Sequence, residues 1–163
     1  MSFIIPDKIN PGYLVATTGI YSPLSFGIRK FLDCDYSHNA IYIGNGEIIE
    51  SDWGGVVINP LSKYLDNKWY RTKIFDTKLS YEQSTKLVNF AKGLLKEEYD
   101  YSVVLGYLFS KIWRRSRQMR ALWNTTTGWT CSEFAATCYA HAGVEFKLPL
   151  AQITPKDLIG HFS

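Results

Sequence analysis

Charge is sparse in this sequence. Only 20% of the residues are charged and the net charge is +3, which argues against nucleic acid as a partner of the surface as a whole. No window reaches the roughly 20 apolar residues that a membrane-spanning helix needs. The start, Met1-Ser2-Phe3-Ile4-Ile5-Pro6-Asp7, lacks the charged beginning and long apolar run of a secretion signal, so a soluble, cytoplasmic protein is expected. Cysteine is scarce too. Cys34, Cys131 and Cys138 cannot close into a complete set of disulfides, which fits a reducing compartment. The spacings Cys34 to His38 and Cys131 to Cys138 match no common zinc pattern on both arms. A Gly-rich phosphate loop and a serine nucleophile elbow are both missing. No metal or other cofactor is required.

What is present is a chain of 163 residues, 46% of them hydrophobic, enough to bury roughly two-thirds of the unfolded surface in one core. A single domain over residues 1–163 is expected. "GYLVATTG" reads as a first strand and "SPLSFGIRKFL" as a short helix burying Ile28, Phe31 and Leu32. "YSHNAIYIGNGEIIES" is a hairpin around Gly44-Asn45-Gly46, and "GGVVINP" and "WYRTKIFDT" are two more strands. Pro60 suits the first position of the helical turn "PLSKYL" between them. Ser80 and Gln83 form a capping box opening a helix to about Leu95, with Leu87, Phe90, Ala91, Leu94 and Leu95 inward. Leu105, Leu108, Ile112, Met119 and Trp123 share a helical stripe that predicts a long helix, ended by "NTTTG". A last helix runs from Thr130 to near Gly143, and "TPKDL" opens a terminal turn. Strands in a meander followed by separated helices define an α+β fold, an antiparallel sheet packed against helices.

Thr130 with Glu133 three residues later is a second capping box, which puts Cys131 at the first helical position, where backbone N–H groups have no intrahelical partner. Such a place favours an anion. A free thiol of pKa about 8.5 falls to roughly 3.5–7.5 at a helix start beside an imidazolium. A packed core thiol is the plain alternative, but Cys138 among Ala135, Ala142 and Phe134 fits that description better. Cys34 sits between two carboxylates in "DCD", which raise a thiol pKa.

Three histidines compete to serve that thiol. His141 lies in the last turn of the Cys131 helix, too far along the axis, and His161 lies two residues from the end. His38 projects from a strand. The same hairpin offers Glu50 and Asp52 to orient the ring, and register decides whether they reach it. A three-residue loop pairs Ile43 with Glu47, Ala40 with Glu50 and His38 with Asp52, so both carboxylates share the histidine's face. A two-residue Asn45-Gly46 loop would turn Glu50 away. An odd-length loop is therefore expected.

"DYSHNAIYIGNGEIIES", "GGVVINPL", "EYDYS" and "TCSEF", in that order, resemble the circularly permuted papain-fold cysteine peptidases and amidases, the YiiX/YaeF-like branch of the NlpC-type superfamily. The resemblance spans Pro11 to Leu158. It implies the permuted fold, in which the histidine and its acidic partner precede the cysteine helix. It further implies Cys131 as nucleophile, His38 as base and Glu50, twelve positions on, as orienting group in preference to Asp52. Tyr99 matches a tyrosine found beside the thiol in such folds, which with the Cys131 N–H would bind an oxyanion. Two departures are Tyr13, where the family usually has Asp, and Thr130, where an aromatic usually precedes the cysteine.

The leading expectation is thus a thiol hydrolase of a peptide-like or acyl-amide substrate, working through an acyl-enzyme. A second keeps the thiol but changes the substrate to a lipid ester or amide, because related permuted proteins include acyl-transferring enzymes. "SKIWRRSRQMR" motivates it: Lys111, Arg114, Arg115, Arg117 and Arg120 beside an apolar stripe would suit an anionic membrane surface. A third makes the same basic helix the contact of a non-enzymatic binding module, against the plain reading of such a run as the solvated face of a helix.

Overall fold

The computed structural model describes residues 8–96 and 129–163. Tyr99, the basic cluster from Lys111 to Arg120 and the long helix expected around it lie outside the described residues. Five strands, β1 (Leu14–Gly19), β2 (His38–Gly44), β3 (Glu47–Asp52), β4 (Gly55–Pro60) and β5 (Tyr70–Phe75), form one antiparallel sheet in the order β4-β3-β2-β1-β5. The described helices are α1 (Pro23–Leu32), α2 (Ser62–Leu65), α3 (Tyr81–Gly93), α4 (Cys131–His141) and α5 (Pro155–His161). The α+β expectation holds.

The sheet is covered on both faces, which explains why "LVATT" reads as a continuous run rather than an alternation. Leu14, Ala16, Ile41 and Ile49 point into the main core with Leu87 and Ala91 of α3, Phe134 and Tyr139 of α4, and Leu158 of α5. Val15, Ala40 and Ile48 point the other way, into a smaller cluster closed by Leu61, Tyr64 and Ile74. In α4, Ala135 and Ala136 are fully buried, and side chains this small let the helix pack closely on the sheet. The Tyr139 hydroxyl anchors its far end by donating to the Gly12 carbonyl at 3.0 Å. At its near end, Ser51 Oγ of β3 donates to the Trp129 carbonyl at 2.7 Å.

The β2–β3 hairpin corrects the expected loop while keeping its register. The connection is the two-residue turn Asn45-Gly46, with φ of 54° and 75°, the doubly positive pair that suits a tight hairpin turn. A bulge between Tyr42 and Gly44, whose φ is 100°, supplies the third residue. Ile41 therefore faces Ile49 and Tyr42 faces Ile48. This is the register that an odd-length loop would have given, and it leaves Glu50 on the face of His38.

Three smaller expectations are also corrected. No residue of α1 is fully buried and Phe31 is exposed, because the helix lies along the rim of a cavity, to which it contributes Leu24 and Ile28. Pro60 ends β4 rather than opening α2, whose N-cap is Leu61. Leu95 lies beyond the end of α3 and is exposed. The Ser80–Gln83 capping box forms as expected.

Candidate active site

Thr130 takes the extended backbone of an N-cap, and its hydroxyl accepts the Glu133 N–H at 3.2 Å. Cys131 is therefore the first residue of α4, 8% exposed, on the wall of a cavity of about 310 Å³. Facing it is His38, the first residue of β2, whose partner across the β1–β2 ladder is Thr17. The thiol and the imidazole line the same cavity and lie close enough for each to shift the other's protonation. His38 Nε2 lies 2.6 Å from Glu50 Oε2, which leaves Nδ1 as the ring nitrogen for the sulfur. Cys131, His38 and Glu50, separated by up to 93 positions in the sequence, meet at one place.

Glu50 is fully buried in mid-strand and takes four hydrogen bonds. Oε2 accepts from His38 and, at 2.7 Å, from the Tyr64 hydroxyl. Oε1 accepts from Asn59 Nδ2 at 2.8 Å and from Lys63 Nζ at 2.9 Å. Lys63 also reaches Asp52 Oδ2 at 3.0 Å. Asp52, the other carboxylate expected to share the histidine's face, is thus turned to the lysine, and it lines the cavity. Asn59, Lys63 and Tyr64 escaped the sequence reading. Asn59 was accessible to it, because the β3–β4 register sets Asn59 opposite Ile48, on the face that carries Glu50. Lys63 and Tyr64 come from α2 and have no such signal.

The electrostatics follow from these contacts. Burial by itself would push the imidazolium of His38 down, but the negative Cys131 sulfur, its hydrogen bond and Glu50 overcome this and hold His38 well above its usual 6.5. Burial would likewise push the Cys131 thiol up. The His38 charge and hydrogen bond, with the backbone N–H groups of Asn39 and Ser132, bring it below the ordinary value. Against the cost of burial, His38 and Lys63 hold Glu50 at about 2. Cys138 has no such neighbours among the described residues, and burial pushes it up to about 12. One thiol of α4 is therefore shifted toward the thiolate by the imidazole beside it, and the other is a core residue.

The arrangement defines a class before it defines a substrate: a cysteine at a helix start, meeting a histidine and a carboxylate that come earlier in the chain. A family model described as permuted papain-like amidase enzyme, YaeF/YiiX, C92 family, matches residues 19–111. The chain belongs to this family. The matched stretch contains His38 and Glu50 and ends before Cys131. Among curated proteins the chain is similar to the probable lipoprotein peptidase YaeF of Escherichia coli (strain K12), with 29% identity over 180 aligned positions covering 94% of this chain and 64% of that protein. The chain thus spans just under two thirds of that relative's length.

Among the described residues, no helix is long and apolar enough to cross a membrane, and no group of three or more His, Cys, Asp or Glu side chains is placed to hold a metal ion.

Proposed function

We propose that this protein is a cysteine-dependent amide hydrolase acting on a peptide-like substrate, with Cys131 as nucleophile, His38 as proton carrier and Glu50 as the group that orients the ring. The observation that carries this reading is the meeting of Cys131 and His38 in one cavity, combined with the 2.6 Å bond from the ring's Nε2 to Glu50.

The thiolate attacks the carbonyl carbon of the amide, and the carbonyl π pair moves to oxygen. The helix leaves the Cys131 N–H without an intrahelical partner, so it is available to that oxyanion. As the tetrahedral species collapses, the C–N bond breaks and His38 Nδ1–H gives its proton to the departing amine. Water then adds to the thioester with His38 as base. The acid leaves, and the thiolate and imidazolium are restored. Glu50, its other lone pairs occupied by Tyr64, Asn59 and Lys63, holds the ring in the tautomer this sequence needs and stabilises its cation.

A second reading keeps the same thiol but gives it a lipid ester or amide. It is favoured by exposed aromatic rings at the cavity's edge. Trp53 lines the cavity, while Tyr21 and Trp69, stacked edge to face at 5.1 Å, adjoin its residues Ser22 and Tyr70. Incubation with chromogenic peptide amides and acyl amides tests both readings. Turnover, with acyl mass gained on Cys131 and lost again with time, is expected for one class, and Cys131→Ala should give neither. Equal turnover by that variant would remove Cys131 from the mechanism.

A further inference from the structure

Besides His38, Lys63 is the described residue that sets a positive charge on the catalytic carboxylate. It is 28% exposed, bridges Glu50 and Asp52 at 2.9 and 3.0 Å, and lies 4.9 Å from the centre of the Tyr64 ring. A freely solvated lysine would lose side-chain entropy to sit there. Two carboxylates adjacent on one strand face would repel each other beneath the histidine without it.

We propose that Lys63 is a positioning residue of this site: its ammonium fixes Glu50 under His38, keeps Asp52 turned from the ring, and sets the pH at which Cys131 becomes a thiolate. The inference rests on the reading of Cys131 and His38 as a reactive pair.

Among the described residues, the charge count around that pair is short. β3 supplies Glu50 and Asp52, α2 supplies Lys63 and Tyr64, α4 supplies Cys131 and, two residues on, Glu133, and β5 supplies Tyr70. Tyr64 stays protonated, pushed up by burial and by Glu50. Arg71 of β5 is half-exposed and lies 3.7 Å from Asp35 at the surface. Among the described residues, Lys63 is thus the cation that offsets two carboxylates. Removing its charge raises the proton affinity of both His38 and Cys131, so the thiolate forms at higher pH. Removing the Asp52 charge does the reverse.

The test is the rate of iodoacetamide alkylation, read at Cys131 by peptide mass spectrometry across pH, which needs no substrate. Lys63→Met should move the thiolate-forming inflection up by about half to one pH unit, Asp52→Asn should move it down, and the double variant should return it close to wild type. Lys63→Arg, which keeps the charge and can donate to both carboxylates, should stay close to wild type. A role limited to stability would leave all four inflections aligned, which refutes the proposal. If Lys63→Met fails to fold, the Asp52→Asn shift decides: a downward move supports the proposal and no move refutes it. Failure of the underlying reading has a different signature, a wild-type Cys131 that titrates like an ordinary thiol.

Discussion

Replacing Glu50 by Gln keeps the shape of a fully buried side chain but removes its charge and turns one acceptor into a donor. Two donors face each oxygen, so either orientation of the amide sets its NH₂ against two of His38, Tyr64, Asn59 and Lys63. A carboxyl held at about 2 rather than 4.5 contributes about 3 kcal/mol at neutral pH. The sign is that of a depressed acid. The unfolded chain takes up the proton first, so the contribution is complete above pH 4.5 and is lost as pH falls toward 2. His38, held above 6.5, works in the opposite sense: its share is present below that value and is lost as pH rises through its folded value. Urea unfolding of wild type and Glu50→Gln should therefore differ by about 3 kcal/mol at pH 7, the gap closing on the acid side. A gap of equal size at pH 3 and pH 7 would show that Glu50 is not an ionised partner of His38, and the electrostatic account of the site would fail.

Two further outcomes can be measured. His38→Gln should lower amide turnover by roughly 10²–10⁴ and move the pH of Cys131 alkylation up toward the ordinary thiol value, because the imidazolium is the leading influence that lowers it; an unmoved alkylation profile would contradict the pairing. Cys138, pushed up to about 12 by burial, should resist iodoacetamide at pH 8 in the native protein and react only after denaturation, which peptide mapping of the alkylated sites will show.

The parts of the site that follow local rules were readable in advance. Thr130, with Glu133 three residues later, marked a helix start by chain chemistry alone, and the alternation of β2 and β3 carried His38 and Glu50 to one face once the register was chosen. Loop length was the wrong variable for that choice. A bulge at Gly44 adds a residue that a count of turn residues misses, because Asn45-Gly46 is itself a favoured two-residue turn. The cradle of Glu50 was legible only in part. Asn59 follows from sheet register, but α2 is a single turn of four residues with no side-chain cap, and nothing in "SKYL" says that it folds over a carboxylate. The burial expected of α1 failed because helical periodicity identifies an apolar stripe without saying what covers it.

The order of the site along the chain also bears on when the protein becomes reactive. The imidazole, its carboxylate and the groups around that carboxylate all fall between residues 38 and 64 and can assemble from neighbouring strands, while the sulfur belongs to a segment synthesised later that must dock across the sheet. In a nascent chain the histidine and its carboxylate therefore emerge before the thiol beside which they come to lie. The surroundings that lower the Cys131 thiol exist only once α4 has docked on the sheet, so its reactivity is tied to completion of the fold.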